Sequence, residues 1–245
     1  MSSLRISPER LDQLVRFNRI AENVYSLDNI LRVISYSSLL LASFIKNRNG
    51  NKDTANVLFL TDFFAKLTDA RFINRIIGLP ATLESLFEHA SGKPDNSIAS
   101  LLGKIMTWSM IIYHPIEHIW FLSTLKGSIF NINSDLWSQW SCRAWAVYVI
   151  CDAIGTLMRS EAVSKEIKTL STDKTMDKGE KQQKLAELKT KKQRLGIWAT
   201  CIVCDFLMAT HWSVEDGPLS NNQICATGIW GGVAGLYLKW KSSKQ

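Results

Sequence analysis

Apolar residues recur along this chain at intervals of three and four, in stretches separated by short polar segments. This spacing is typical of helices that bury one face, and no stretch shows the alternation of a half-buried strand. We therefore expect an all-α protein. The pattern predicts helices over 8–45, 55–77, 80–88, 98–125, 136–158, 180–195, 195–212 and 222–240.

The helix predicted over 55–77 has two unlike sides. At 100° per residue, its larger apolar residues gather on one side, with three basic residues beside them. Such a helix either lies in a membrane interface or packs on neighbouring helices as ordinary core, and the spacing alone favours the core interpretation. The candidate lipid-contacting residues are Phe59, Leu60, Phe63, Phe64, Lys66, Leu67, Arg71 and Arg75.

The stretch from Gly217 to Leu238 carries no charge over 22 residues, enough to span a bilayer. Its glycines form two overlapping G-x-x-x-G patterns. In lipid, helices associate where small residues let their backbones approach closely, so the pattern predicts a helix-packing face. The alternative is a buried central helix of a water-soluble all-α globule. The predicted packing residues are Gly228, Gly231, Gly232 and Gly235.

Charge is segregated along the chain, which has a formal net charge of +7. Segment 159–194 has eleven Lys or Arg against six Asp or Glu, a balance of +5, and no aromatic residue. A nucleic-acid interface combines basic and aromatic residues, so we exclude nucleic acid as a partner. The positive-inside rule instead places this segment and both termini in the cytosol. The candidate spans are 104–125, 136–158, 195–212 and 222–240.

Together these patterns predict an integral membrane helical bundle with amphipathic interfacial helices and a charged cytosolic helical insertion. We expect one domain over 1–245. Its predicted regions are an amphipathic N-terminal region (8–103), an apolar helical hairpin (104–158), the charged cytosolic segment (159–194) and a C-terminal membrane hairpin (195–240).

Two short motifs raise the question of catalysis or metal binding. His114–His118 reads H-x-x-E-H, the inverted zinc-peptidase spacing. However, Pro115 lies between the two histidines, where it is expected to kink or restart the helix. Cys201 and Cys204 form a C-x-x-C with no second pair at zinc spacing, in an apolar context. We therefore predict no catalytic residue, no metal and no cofactor.

Several stretches, in consistent order from about Ser26 to Trp240, resemble the peroxin-11 family of peroxisomal membrane proteins. "LDNILRVISYSSLLLASFI" resembles the family's N-terminal helix, and "ARFINRIIGLPATLESL" is similar to its Arg-Lys-x-x-Arg-x-Gly helix, with Phe72 in place of a Lys. "YHPIEHIWFLSTLKGSIFNINSDLWSQWSCRAWAV" resembles its Tyr-Pro-x-Glu-His segment, and "GIWGGVAGLYLKW" its glycine-rich C-terminal helix. The fungal C-type or gamma-like branch is the nearest in pattern.

The resemblance implies a non-catalytic protein of the peroxisomal membrane that elongates this membrane before division. It implies amphipathic-helix insertion into the cytosolic leaflet, self-association into a homo-oligomer, and contact with a fission adaptor and a dynamin-related GTPase. Membrane lipids are then the principal partner. The alternative is a peroxisomal pore or metabolite channel, for which Asp152, Asp205, His114 and Glu117 are candidate lining residues.

Overall fold

A computed structural model describes residues 7–76, 78–91, 97–173 and 175–243. These residues form eight α-helices and no strand, which confirms the predicted all-α class. In chain order the helices are α1 (Pro8–Ala21), α2 (Val24–Arg48), α3 (Ala55–Arg75), α4 (Gly78–Ser91), α5 (Ile98–Ser123), α6 (Ser134–Thr172), α7 (Lys178–Trp212) and α8 (Asn221–Ser242).

The path of the helices differs from the predictions at the junction of α1 and α2 and at Pro115. The single helix predicted over 8–45 is broken between α1 and α2, because the Asn23 side chain accepts a hydrogen bond from Ser26 N–H (3.2 Å) and caps a new helix. At Pro115, where a kink or a restart was predicted, the helix does not restart, since α5 continues through that residue.

The charged segment 159–194 is more helical than predicted. Helix α6 has 39 residues and reaches Thr172, and α7 has 35 residues and begins at Lys178. An ion pair lies on the charged part of each helix: Glu161 with Lys165 on α6 and Glu180 with Lys184 on α7. In each pair the two residues are one helical turn apart and the charged atoms are separated by 2.7 Å. Local ion pairs and good helix formers therefore extend both helices beyond their apolar halves.

The chain divides into two compact units. Met1–Gly78 and Ser220–Gln245 form one, called here the terminal unit, and Leu79–Leu219 form the other, the central unit. Helix α7 belongs to the central unit and α8 to the terminal unit. The membrane hairpin over 195–240 stays a prediction.

In the terminal unit, α2 packs against both α3 and α8, and α1 contacts α2 and α8. The glycines of α8 face α2. A Cβ atom on Gly232 would lie 2.6 Å from Val33 Cγ2 and 3.2 Å from the Asn29 carbonyl oxygen, and one on Gly228 would overlap the Tyr36 ring. Glycine therefore permits a close approach of α8 to α2 that any larger residue would prevent.

In the central unit, α6 packs against α5 on one side and α7 on the other. Polar side chains link these helices. Ser109 Oγ of α5 donates to the Ala144 carbonyl (2.5 Å), and Trp198 Nε1 of α7 donates to Asp152 Oδ2 of α6 (2.9 Å). Buried polar groups of this kind are thus satisfied between helices.

The contact between α8 and α2 predicts opposite effects for two glycine substitutions. Gly232→Ala should lower the free energy of unfolding by about 1–3 kcal/mol, the usual range for overpacking. Gly196→Ala, on α7, is the matched control: its added Cβ would meet nothing within 4 Å. It should raise that free energy by up to about 1 kcal/mol. Denaturant unfolding of the full chain in detergent, followed by Trp fluorescence, measures both; equal effects would refute the proposed steric role of Gly232.

Candidate functional site

Helix α3 contains the candidate lipid-contacting residues, and it begins where the Thr54 side chain caps Val57 N–H. One of its sides rests on α2. Val57 is buried, and Leu60, Phe64 and Leu67 are half-buried. The rings of Phe64 and Tyr36 lie 5.6 Å apart. These residues, which recur at intervals of three and four, therefore form the inner side of α3.

The outer side of α3 exposes large apolar side chains. Leu58 is 59% exposed, Phe59 68% and Phe63 38%, and the rings of Phe59 and Phe63 stack with centroids 6.2 Å apart. Lys66 is exposed beside them. The stripe predicted from the sequence is thus divided: part of it packs on α2, and Phe59 and Phe63 face outward.

The basic residues Arg71 and Arg75 turn toward α2. Arg71 is buried; its Nε and Nη2 donate to the two carboxylate oxygens of Asp28 at 3.1 and 3.3 Å. Arg75 Nε lies 3.4 Å from Asp28 Oδ1. These two arginines therefore hold α3 to α2, while Lys66 is the candidate cation on the exposed side.

The pKa of Asp28 lies below its ordinary value. Burial alone would raise the pKa of this carboxyl, but the charges of Arg71, Arg75 and Arg32 and the hydrogen bonds from Arg71 outweigh that effect. Asp28 is therefore ionised near neutral pH. Its ion pair with Arg71 fixes the rotation of α3 about its own axis.

Helix α1 has a second exposed apolar face, which sequence reasoning missed. Leu11, Leu14 and Val15 are each about half exposed, whereas Arg16 is buried. Arg16 Nη2 donates to the Trp240 carbonyl (2.8 Å), and its guanidinium lies 4.1 Å from the centroid of the Trp240 ring. The i, i+3, i+4 spacing of these three apolar residues is the signal in the sequence that could have identified this face.

The four glycines of α8 are buried in the terminal unit. The neighbour of Gly228, Gly232 and Gly235 is α2 of the same chain. The opposite side of α8 exposes Trp230, Val233 and Tyr237.

Among the described residues, one helix is long and apolar enough to cross a membrane, namely α7. Only 28% of its most apolar 18-residue stretch is buried within the protein. The candidate spans over 104–125, 136–158 and 222–240 do not reach the same combination of length and hydropathy.

Residues 11–240 match the model of one protein family, peroxisomal biogenesis factor 11. The chain belongs to this family. The match covers both units and includes the fold elements described above. The family acts in peroxisome biogenesis and is located at the peroxisomal membrane, and it is not known as a family of enzymes. No curated protein and no solved structure matches the chain.

The ion pair between α2 and α3 makes the stability of this family member dependent on Asp28. Asp28→Asn should lower the free energy of unfolding at pH 7 by about 3 kcal/mol, because Arg71 would be left buried without its counter-charge. A lowered folded-state pKa contributes stability above about pH 4, the ordinary pKa of Asp, and that contribution is lost as the pH falls through the folded-state pKa. The unfolding free energies of the unaltered chain and of Asp28→Asn, measured by denaturant unfolding, should therefore converge in acid.

Asp62→Asn provides the control for Asp28→Asn. Asp62 lies exposed on the outer side of α3, the helix that Asp28 binds, so its replacement should change the unfolding free energy by less than about 0.5 kcal/mol. Equal losses at positions 28 and 62, or a loss at position 28 that does not vary with pH, would contradict the assigned role of the pair.

Proposed function

We propose that this protein shapes and elongates the peroxisomal membrane during peroxisome division, by inserting amphipathic helices into the cytosolic leaflet and by self-association. An apolar helix face that enters one leaflet expands that leaflet and favours curvature. The observation that carries the proposal is the outward position of Leu58, Phe59 and Phe63 on α3. Family membership supplies the organelle.

The rotation of α3 about its axis determines which of its apolar side chains remain exposed. Because Arg71 and Arg75 bind Asp28 on the inner side, the helix cannot turn to bury Phe59 and Phe63 without breaking the ion pair. Burial of each of these side chains in an apolar medium is worth about 1.5–3 kcal/mol. A membrane interface supplies that medium, and Lys66 is placed to meet anionic headgroups.

Membrane attachment and orientation complete the proposal. The apolar half of α7, over 195–212, is the first candidate for a true span. With α8 as a returning span over 222–240, the charged segment 159–194 lies in the cytosol together with both termini. We also propose an integral bundle in which α5 and α6 contribute apolar surface. The contacts with a fission adaptor and a dynamin-related GTPase rest on family membership alone.

Self-association requires a surface other than the glycine face of α8, because α2 of the same chain already occupies that face. Trp230, Val233 and Tyr237 follow one another at i, i+3 and i+7 on the exposed side of α8. Aromatic residues are enriched where proteins associate. We propose that this row contacts a second copy of the chain.

The channel alternative has less support. Asp152, a candidate lining residue, is 7% exposed and accepts hydrogen bonds from Trp198, Arg159 and Thr156. A carboxylate engaged in this way is typical of a structural link between helices. Membrane shaping is therefore the function that the structure supports best.

Vesicle remodelling tests the outer face of α3. The full chain should draw tubules from vesicles of phosphatidylcholine and phosphatidylserine, and the double variant Phe59→Glu/Phe63→Glu should not, because charge opposes insertion of that face. Electron microscopy measures the tubules. Ile129→Glu is the matched control, since Ile129 is 90% exposed in the loop between α5 and α6, and it should tubulate like the original chain.

Two results of this experiment would count against the proposal. Tubulation by the double variant at the original frequency would remove α3 as the wedge. Flux of an entrapped small anion through the same vesicles, without any tubulation, would favour the channel. Circular dichroism of each variant verifies that the helices are retained.

The row on α8 predicts a change in oligomeric state. Trp230→Ala/Tyr237→Ala should reduce chemical cross-linking between copies in detergent by about tenfold, a loss equivalent to about 1.4 kcal/mol. Trp140→Ala removes an aromatic residue of similar exposure (52%) on α6 and serves as the control. If both variants cross-link like the original chain, the row is not the contact surface.

A further inference from the structure

Three side chains that are common zinc ligands come together on α5. His114, Glu117 and His118 are spaced i, i+3 and i+4, so they project from one side of the helix. One ligand atom from each lies within 4.8 Å of the others. His114 is 2% exposed and Glu117 3%, and His118 is partly exposed.

The arrangement is close to the dimensions of a zinc site. Zinc binds His nitrogen and carboxylate oxygen at about 2.0–2.2 Å in a tetrahedron, which places ligand atoms about 3.3 Å apart. The rings of His114 and His118 are stacked, with centroids 5.8 Å apart and planes at 28° to each other. A bound zinc ion would bring the three ligand atoms, which lie within 4.8 Å of one another, to this spacing through changes in side-chain torsion.

A neighbouring residue orients the carboxylate. The Tyr113 hydroxyl donates a hydrogen bond to Glu117 Oε1, and the Tyr113 ring packs edge-on against His114, with centroids 5.2 Å apart. Outer-shell hydrogen bonds of this type hold metal-binding carboxylates in place. Because this hydrogen bond uses Glu117 Oε1, Oε2 would be the ligand oxygen for a bound metal.

We propose that His114, Glu117 and His118 bind one zinc ion. The two imidazoles favour zinc over magnesium or calcium, which prefer oxygen ligands throughout. A dication also offsets the free-energy cost of burying a carboxylate. The proposal concerns binding and assigns no reaction, and it is independent of the membrane-shaping function.

Pro115 suggests what the metal does. Proline has no N–H, so the helical hydrogen bond to the Ile111 carbonyl is missing, and the proline ring crowds the preceding turn. Nevertheless α5 runs through Pro115 without interruption. A metal bound by both His114 and His118 links two residues that are one helical turn apart, next to the missing hydrogen bond. It thereby stabilises α5 at its weakest point.

Zinc content tests the proposal. The full chain, purified in detergent with an affinity tag that contains no histidine, should retain about one zinc per chain by mass spectrometry of the metals. Competition with a coloured chelator should show that His118→Gln and Glu117→Gln weaken zinc binding by about tenfold or more, at least the loss that follows removal of an outer-shell partner. Removal of zinc should lower the thermal unfolding temperature of the chain.

Two controls separate this site from other ligands. His211, whose Nδ1 accepts a hydrogen bond from Leu219 N–H, lies on another helix. Cys201 and Cys204 lie on α7 and form no disulfide. His211→Gln and Cys201→Ser/Cys204→Ser should both retain zinc at the original affinity.

Cobalt substitution keeps the test decisive if a variant fails to fold. The unaltered chain with Co²⁺ should show the visible absorption of a four-coordinate ion with nitrogen and oxygen ligands. A thiolate charge-transfer band would assign the metal to the cysteines and overturn the proposal. So would an unaltered chain that retains no zinc, or equal zinc affinity in the unaltered chain and His118→Gln.

Discussion

The close packing of α8 on α2 is the contact on which the terminal unit depends. Gly228 and Gly232 lie so near Tyr36 and Val33 that no side chain fits between the helices. This contact joins the two ends of the chain. On its other side, α2 holds α3 through Asp28 and Arg71, so a single helix positions everything else in the unit.

This construction places charge inside and apolar groups outside. Arg71 and Arg16 are buried with specific partners, whereas Phe59 and Leu11 are exposed on the same two helices. In water this arrangement forgoes hydrophobic burial that a simple rotation of each helix would recover. At a membrane interface it presents a ready apolar surface, because the Arg71–Asp28 ion pair and the hydrogen bond from Arg16 to the Trp240 carbonyl prevent the two helices from turning inward.

The central unit is held differently. Its three long helices are linked by hydrogen bonds from Ser109 and Trp198 to groups on the neighbouring helix. Arg143 of α6 donates to the carbonyl of Ser213, the residue that follows α7. Such bonds are effective where water is scarce, and in lipid each is worth about 1–2 kcal/mol at most. The outer halves of α6 and α7 carry the charge of segment 159–194 away from this apolar region. In both α6 and α7, an apolar stretch and a charged stretch therefore follow one another along the same helix.

The sequence by itself determined the helical class, most helix positions and the family, because these depend on periodicity, capping residues and motifs along the chain. It also placed Phe59 and Phe63 on one side of α3 with Phe64. Only the tertiary structure decided that Phe64 packs inward while the other two face outward, that α2 covers the glycines of α8, and that α5 continues through Pro115. Periodicity defines which residues share a face, but contacts such as Asp28 with Arg71, 43 residues apart, decide what covers it.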